Sequence, residues 1–256
     1  MEPLLISLAV LLSFMSVLFV IGMVTKNNAI ADVGYGVAFM VVITATVVQF
    51  PQTILPTLIV ALLPFIWGLR LALRIYMKNK GKPEDFRYRA WREAWGKTFV
   101  IRSFLQVYML QGLVVFAVAL PVLLAIVYPS TPIGSVILLG LGMWIVGFFF
   151  EVVGDWQLAR FIKNPANAGK LMTGGLWQYT RHPNYFGEVT LWWGIWLVAL
   201  SVPYGSLAVI GPLTITVLIL KVSGIPMLEK KMATHPDFVD YKKKTSVFVP
   251  WFRKDV

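Results

Sequence analysis

The feature that most constrains this chain is a series of seven apolar stretches of about 20 residues each. An α-helix needs about 20 consecutive, mostly apolar residues to cross the hydrocarbon core of a bilayer. Short segments of turn-forming residues separate the stretches. The sequence therefore predicts an all-α, polytopic membrane protein with seven transmembrane helices, approximately at residues 4–24, 32–50, 53–75, 104–127, 133–154, 186–202 and 204–222.

The composition excludes several other classes of protein. Hydrophobic residues make up 58% of the chain and charged residues 14%, against about 45–50% and about 25% in an average soluble domain. The chain has no cysteine and two histidines, so we expect no disulfide, no thiolate chemistry and no metal site. The length of 256 residues is that of one medium domain, so we predict a single membrane domain over residues 1–256, whose polar signature lies at about 151–251.

The basic residues are distributed unevenly among the loops. A reading with seven spans places all 23 Lys and Arg on one side, because the second, fourth and sixth loops contain none. By the positive-inside rule that side is cytoplasmic, which predicts an outer N-terminus and a cytoplasmic C-terminus. The net charge of +11 is then expected to reflect topology and anionic lipid, with no nucleic-acid partner. In a bacterium the protein would lie in the cytoplasmic (inner) membrane.

Two basic segments have simple explanations as well as functional ones. After Pro83, residues Arg87, Trp91 and Trp95 fall on one stripe of a short helix. This helix could lie at the headgroups with its tryptophans as anchors, or it could offer a phosphate-binding surface. In the tail, Lys242 to Lys244 are typical of a basic helix on a membrane surface.

Carboxylates occur at the inner ends of the fifth and sixth spans. Glu151 and Asp155 are one turn apart, and Glu188 lies one or two turns into the sixth span. A carboxylate at such a depth is costly and by default marks a functional site. The alternatives are that Asp155 caps a helix or pairs with Arg160, that Glu151 bridges helices, and that Glu188 pairs with a basic residue such as Lys221.

The segment that joins these two spans is rich in polar side chains. Gly174 and Gly175 permit a tight turn, and Pro183 suits the first turn of the next helix. The start of that helix carries a partial positive charge that suits an anion, to which Arg181 and His182 would add donors. The segment from Tyr179 to Glu188 therefore predicts a binding or catalytic site.

The same segment, Gly-Leu-Trp-Gln-Tyr-Thr-Arg-His-Pro-Asn-Tyr-Phe-Gly-Glu (175–188), resembles the C-terminal signature of the steroid 5-alpha-reductase family in its bacterial branch. Segments 155–163, 240–251 and 79–83 are also similar to that family. The resemblance implies a seven-helix membrane bundle that uses NADPH to reduce the 4-ene of a 3-oxo steroid, or a related activated double bond. The substrate would be an apolar small molecule from the lipid bilayer, and no obligate protein partner is evident.

The resemblance also implies roles for individual residues. Asn184 and Glu188 match positions that hold the nicotinamide end of the cofactor, and we also take Glu188 as catalytic. The complete set predicted to bind NADPH is Lys82, Arg87, Tyr88, Asp155, Arg160, Lys163, Tyr179, Arg181, His182, Asn184, Tyr185 and Glu188.

The N-terminal half departs from the family pattern. Eukaryotic members have a Gln-Glu pair and a downstream Tyr that polarise the 3-oxo group, whereas this chain offers Gln49 and Gln52 without the Glu, and Gly68 where the Tyr is expected. We take Gln49 and Gln52 as substrate-binding, and Tyr35 as the best substitute for the carbonyl donor, both catalytic and substrate-binding. A helix-packing role for Gly34-Tyr35-Gly36 is the open alternative.

Enone reduction requires a hydride at the β-carbon, a donor to the carbonyl oxygen and a proton at the α-carbon. The chain lacks the soluble type of dinucleotide fingerprint, because Gly140-Leu-Gly142 lies inside a span and follows no strand. The alternative is an S-adenosylmethionine-dependent membrane methyltransferase that acts on an isoprenylcysteine or a phospholipid. The motif Arg-His-Pro-x-Tyr-x-Gly of this chain also resembles the S-adenosylmethionine site of such enzymes. Asn184, Glu188 and Asp155 favour the reductase. A non-enzymatic lipid or sterol binder is a third possibility.

Overall fold

The computed structural model describes residues 2–50, 55–129 and 134–254, and every regular element in these ranges is helical. The all-α class is therefore confirmed for this part of the chain. Two segments, Ser103–Met109 and Leu218–Val222, are π-helical. The α-helices are α1 (Glu2–Val24), α2 (Ile30–Gln49), α3 (Leu55–Asn79), α4 (Phe86–Trp95), α5 (Phe99–Arg102), α6 (Leu110–Val127), α7 (Ser135–Lys163), α8 (Pro183–Ala199), α9 (Ile210–Val217), α10 (Ile225–Met232) and α11 (Phe238–Lys244).

Six helical segments in the described ranges are long and apolar enough to cross a membrane. They are Glu2–Val24, Ile30–Gln49, Thr57–Asn79, Phe86–Val127, Ser135–Lys163 and Gly205–Met232. The predicted count of seven is not supported, because α8, which covers most of the predicted sixth span, has only 17 residues. At about 1.5 Å per residue α8 is about 26 Å long, which is shorter than a hydrocarbon core of about 30 Å.

The start and end of α8 have local causes. Pro183 begins the helix, as the sequence predicts. After α8 the chain turns at Tyr204, which has a φ of 62°. Gly205 then packs directly against the carbonyl group of Ala199, where a Cβ would not fit. The helix therefore cannot extend over the predicted range 186–202, and the orientation of the termini stays a prediction.

The chain folds into two compact units. The first contains Met1–Ile133 and Ala199–Ile210. In it, α2 packs against α1, α3 and α6. Helices α2 and α3 approach closely at Gly36 and Gly68, since a Cβ on Gly68 would lie 2.6 Å from the Gly36 carbonyl oxygen. This close approach supports the helix-packing interpretation of the glycines that flank Tyr35.

The short helix predicted after Pro83 is present as α4. Its N-cap is Asp85, whose carboxylate accepts from the Arg87 N–H at 3.0 Å. Arg87 also forms an ion pair with Asp32 at 2.7 Å, and the Tyr88 hydroxyl donates to the same carboxylate at 2.7 Å. These contacts attach α4 to the first turn of α2. An amphipathic segment is thereby held by charge-assisted hydrogen bonds rather than by apolar packing alone.

The second unit contains Gly134–Val198 and Gly211–Val256, and glycines line the contact between α7 and α8. A Cβ on Gly140 would lie 2.6 Å from the Gly194 carbonyl oxygen, and one on Gly147 would lie 2.6 Å from the Gly187 carbonyl oxygen. Residues seven apart return to nearly the same face of a helix, so these glycines form one stripe. The close packing places the last turns of α7 beside the first turns of α8.

We expect Gly147→Ala to destabilise the protein and Gly142→Ala to be tolerated. A Cβ at Gly147 would meet the Leu191 nitrogen at 2.5 Å, whereas a Cβ at Gly142 would have no atom within 4 Å. Overpacking typically costs about 1–3 kcal/mol, while Ala is about 1 kcal/mol more favourable than Gly in a helix interior. Thermal unfolding of the two variants in detergent measures the difference, and equal midpoints would contradict the proposed packing.

Candidate functional site

The turn before α8 is docked onto the last turns of α7. Gly175 adopts a positive φ of 62°, and a Cβ there would collide with the Gln157 amide. The Gln157 Oε1 accepts from the Leu176 N–H at 2.9 Å. The Trp177 indole donates to the Gly154 carbonyl at 3.1 Å. The glycine pair therefore makes the tight turn that the sequence predicts, and α7 fixes its position.

The C-terminal segment runs alongside this turn. The Arg181 N–H donates to the Ser246 carbonyl at 2.9 Å, and the Trp251 N–H donates to the Tyr179 carbonyl at 2.9 Å. The Thr180 hydroxyl donates to the Phe248 carbonyl at 2.8 Å. Residues distant in sequence thus form a short parallel pairing, centred on a bridge between Thr180 and Ser246.

Arg181 holds the tail with its side chain as well. It is 4% exposed, and its Nε and a terminal nitrogen lie 2.8 and 2.7 Å from Glu229 Oε1. Its other terminal nitrogen donates to the Thr245 carbonyl at 2.6 Å. Acceptors of the protein thus occupy most of the donors of Arg181, and its contact with an anion or a cofactor stays a prediction. Sequence reasoning also missed Glu229, because no local spacing links it to Arg181.

His182 is buried, with an exposure of 1%, next to the same carboxylate. Its Nε2 lies 3.3 Å from Glu229 Oε1, and its ring stacks with that of Tyr185 at a centroid distance of 5.7 Å. Its Nδ1 is buried and has no hydrogen-bond partner among the described residues. Burial lowers the pKa of the His182 imidazole, and Glu229 offsets only part of this effect.

The polar residues of α7 and α8 lie near the Gly154 end of the glycine stripe. Gly154 packs against Pro183 and the backbone of Asn184, and its neighbour Asp155 is 4% exposed. Asn184 Oδ1 is buried without a hydrogen-bond partner in the described chain. Glu188 lies one turn further along α8 and is half-buried. The structure thus places the predicted residues His182, Asn184, Tyr185 and Glu188 at the start of α8, against the end of α7 that carries Asp155.

Three other predicted residues of this unit lie on its surface. Tyr179 is 37% exposed, and Arg160 and Lys163 are exposed on the last turns of α7. The Arg160 guanidinium lies 5.5 Å from the centroid of the Trp156 ring. Beside them is an open groove of about 480 Å³. It is lined by Trp156, Gln157, Arg160, Phe161, Asn164, Asn167, Leu171, Met172, Thr173, Gly174 and Gly175.

The predicted site residues of the first unit are not all gathered in one place. Tyr35 packs its ring edge against Phe39 and Trp67, at centroid distances of 5.2 and 6.3 Å. Gln49 lies near the other end of α2 and donates to Ser7 Oγ at 3.0 Å. Fourteen residues at about 1.5 Å each separate Tyr35 from Gln49 by about 21 Å, so the two side chains cannot contact the same carbonyl group.

The remaining predictions for this unit differ in outcome. Lys82 is exposed in the turn after α3, where its N–H donates to the Asn79 carbonyl. Arg87 and the buried Tyr88 contact Asp32, as described above. Gln52 lies outside the described residues. A polar cluster around the start of α2 is thus occupied by contacts within the protein, and cofactor roles for Lys82, Arg87 and Tyr88 stay predictions.

The sequence as a whole matches a family described as "Protein of unknown function (DUF1295)" over residues 18–245. The chain belongs to this family, which is part of the steroid 5-alpha-reductase-like group, and the resemblance seen in the signature is confirmed. The chain is an integral membrane protein by its helices and its relatives.

Curated relatives share part of the chain. The human protein named 3-oxo-5-alpha-steroid 4-dehydrogenase 1 is 35% identical over 72 residues, which is 28% of this chain and 27% of the relative. The protein of the same name from Bos taurus is 30% identical over 115 residues, 44% of this chain and 41% of the relative. The chain thus spans less than half the length of these relatives. No solved structure gives a significant match.

We expect the free energy of unfolding to fall as the pH decreases below about 6.5, the pKa of an unperturbed histidine. The pKa of His182 is lower in the folded protein than in the unfolded chain, so the unfolded chain binds the proton first and is stabilised. Above about pH 6.5 the imidazole is neutral in both states, and this contribution to stability is fully present.

Thermal unfolding in detergent between about pH 7.5 and about pH 5 measures the effect. His182→Gln is the matched control, since its amide N–H can still donate to Glu229 but does not titrate. The variant should show a weaker pH dependence than the natural protein. Identical slopes would mean that His182 does not titrate as proposed.

Proposed function

We propose that this protein is a membrane-embedded, NADPH-dependent reductase of an activated carbon–carbon double bond, with the 4-ene of a 3-oxo steroid as substrate. The observation that carries the proposal is the cluster of buried polar side chains where α7 meets α8, in the segment that resembles the reductase signature. The names of the curated relatives support the same reaction. A membrane-embedded site suits an apolar substrate that partitions into lipid.

The residues present fit a nicotinamide cofactor. Asn184 Oδ1 and His182 Nδ1 are buried acceptors without partners in the described chain, and an unpaired buried acceptor costs free energy until it receives a donor. A carboxamide offers donors to such acceptors and an acceptor of its own. We therefore propose that Asn184 and Glu188 clamp the carboxamide, with Asp155 beside them. When bound, the cofactor supplies the hydride for the β-carbon of the enone.

The roles of the protein are orientation and exclusion of water. The clamp would fix which face of the ring meets the substrate, and orientation of this kind is worth several kcal/mol. The Tyr35 hydroxyl stays our prediction for the donor to the substrate carbonyl, and Gln49 is too far along α2 to assist it there.

Exposed basic residues at the end of α7 support a preference for NADPH over NADH. The 2′-phosphate adds about two negative charges and three acceptor oxygens. Arg87 is already paired with Asp32 and Asp85. By contrast, Arg160, Lys163 and Lys170 are exposed and have no ion pair to another described residue. Arg160 also lines the groove described above, next to an exposed indole on which a base could stack.

We further propose the orientation that the basic residues indicate, with the Lys- and Arg-bearing loops in the cytosol. In that topology α8 crosses the membrane despite its 17 residues, a length at the lower limit for a span. Single cysteines in place of the exposed Ser135 and Ser206 should react with an impermeant reagent from outside, and one in place of Lys243 only after permeabilisation. Labelling of Ser206→Cys from the inside would mean that α8 does not cross.

Titration of the purified protein with NADPH and with S-adenosylmethionine tests the proposed function. We expect quenching of tryptophan fluorescence by NADPH alone, and NADPH oxidation on addition of a 4-ene-3-oxo steroid. Binding of S-adenosylmethionine instead would establish the methyltransferase alternative, which the comparisons do not favour. Binding of steroid without either cofactor would point to a non-enzymatic binder.

We expect Glu188→Gln to lower turnover roughly tenfold to a hundredfold, because loss of a charge-assisted hydrogen bond costs about 1.5–3 kcal/mol. The side chain keeps its size, so the thermal midpoint should not change, and Glu188→Ala should lower turnover further. If Glu188 only pins helices together, Glu188→Gln would instead lower the thermal midpoint and leave turnover per folded molecule and NADPH affinity unchanged.

We expect Arg160→Gln to weaken NADPH binding roughly fivefold, which corresponds to about 1 kcal/mol for an exposed ion pair. Binding of NADH, which lacks the 2′-phosphate, should not change. The difference should shrink at high salt because exposed charges are screened. Lys243→Gln removes the same charge from the exposed tail and serves as the control. An equal loss of affinity for both cofactors in Arg160→Gln would exclude a contact with the 2′-phosphate.

A further inference from the structure

The two histidines of the chain provide an internal comparison. His235 Nε2 lies 2.7 Å from the Gly169 carbonyl oxygen, which can only accept, so Nε2 carries the proton. Its Nδ1 accepts from the Asp237 N–H at 3.2 Å. Both ring nitrogens of His235 therefore have partners within the protein.

His182 has the same tautomer for a different reason. Its Nε2 lies 3.3 Å from Glu229 Oε1, and the Arg181 guanidinium contacts the same oxygen at 2.7 and 2.8 Å. A carboxylate paired with arginine is ionised and only accepts hydrogen bonds. The proton of the neutral imidazole must therefore lie on Nε2, which leaves Nδ1 as a bare acceptor. That Nδ1 is the buried atom without a partner among the described residues.

The orientation of the His182 ring is fixed from several sides. Arg181 holds Glu229 in place and is itself held by the Thr245 carbonyl at 2.6 Å. The Tyr185 ring stacks on the imidazole with an interplanar angle of 20°. The imidazole therefore cannot rotate to exchange its two nitrogens without breaking the contact with Glu229.

We propose that Glu229 is a positioning residue, which keeps His182 Nδ1 available to accept a hydrogen bond from a bound ligand. The ligand group must be an N–H or O–H donor, such as the carboxamide or a ribose hydroxyl of the nicotinamide cofactor. A phosphate is excluded at this position, because it carries acceptors and would face another acceptor. The inference rests on the proposed function and deepens it, since it says which part of the cofactor meets the start of α8.

A spectrum of the full-length protein labelled with ¹⁵N-histidine tests the assignment directly. The chain contains only two histidines, and His235→Gln identifies their signals. We expect both residues to be protonated at Nε2. Saturation with NADP⁺ should move the His182 Nδ1 signal towards a hydrogen-bonded value and leave that of His235 unchanged. A proton on His182 Nδ1, or an unmoved Nδ1 signal with cofactor bound, would overturn the inference.

Two substitutions separate the ligand contact from a structural role. His182→Asn keeps an acceptor near the position of Nδ1, whereas His182→Gln keeps a donor to Glu229 but loses that acceptor. We expect His182→Gln to lose NADPH affinity roughly tenfold, the equivalent of about 1.4 kcal/mol, and His182→Asn to retain more of it. The thermal midpoint, by contrast, should be higher for His182→Gln than for His182→Asn, because only the Gln side chain keeps the donor to Glu229. Unchanged NADPH affinity in His182→Gln would overturn the ligand contact.

The role of Glu229 has its own pair of variants. Glu229→Gln keeps an amide oxygen towards Arg181 and His182 and should preserve the tautomer, whereas Glu229→Met removes it and should mix the tautomers. Preservation of the tautomer in Glu229→Met would show that Glu229 does not position the ring. Fluorescence titration of the natural protein keeps the two failures apart. Absence of NADPH binding refutes the proposed function itself, whereas binding without a response of Nδ1 refutes only this inference.

Discussion

The second unit of the protein depends on the partly buried ion pair between Arg181 and Glu229. Loss of Glu229 would leave the buried guanidinium of Arg181 without its counter-charge, which is destabilising. The contact also ties three segments together. Glu229 belongs to α10, Arg181 to the turn before α8, and the Thr245 carbonyl that Arg181 also contacts begins the C-terminal segment. The same carboxylate orients His182. One interaction thus connects the stability of the unit to the geometry of its candidate site.

The glycine stripe between α7 and α8 complements this ion pair. Helices in a bilayer gain no hydrophobic driving force from association, so close packing of small residues is a principal source of their attraction. The stripe ends at Gly154, which packs against Pro183 and Asn184. Polar side chains that would be costly in lipid are therefore enclosed between two helices and the docked turn. A polar, preorganised site can form there although most of the chain is apolar.

The first unit uses its polar residues differently. Asp32, Arg87 and Tyr88 bind one another and attach α4 to α2. Nearby, Asn28 is fully buried, with its side chain bonded to Ser103 and Tyr108. Such networks rigidify a structure when every member is satisfied. By contrast, the acceptors His182 Nδ1 and Asn184 Oδ1 have no partner among the described residues, which distinguishes a candidate ligand site from a structural cluster.

The sequence by itself determined the features that depend on local chemistry. Apolar stretches of about 20 residues specify helices wherever they occur, Pro183 specifies a helix start, and the paired glycines specify the turn before it. The signature was sufficient to identify the family. The tertiary structure alone decided the pairing of Arg181 with Glu229, 48 positions apart, and the tautomer of His182 that follows from it. These outcomes depend on which distant residues become neighbours, and periodicity and composition carry no information about that.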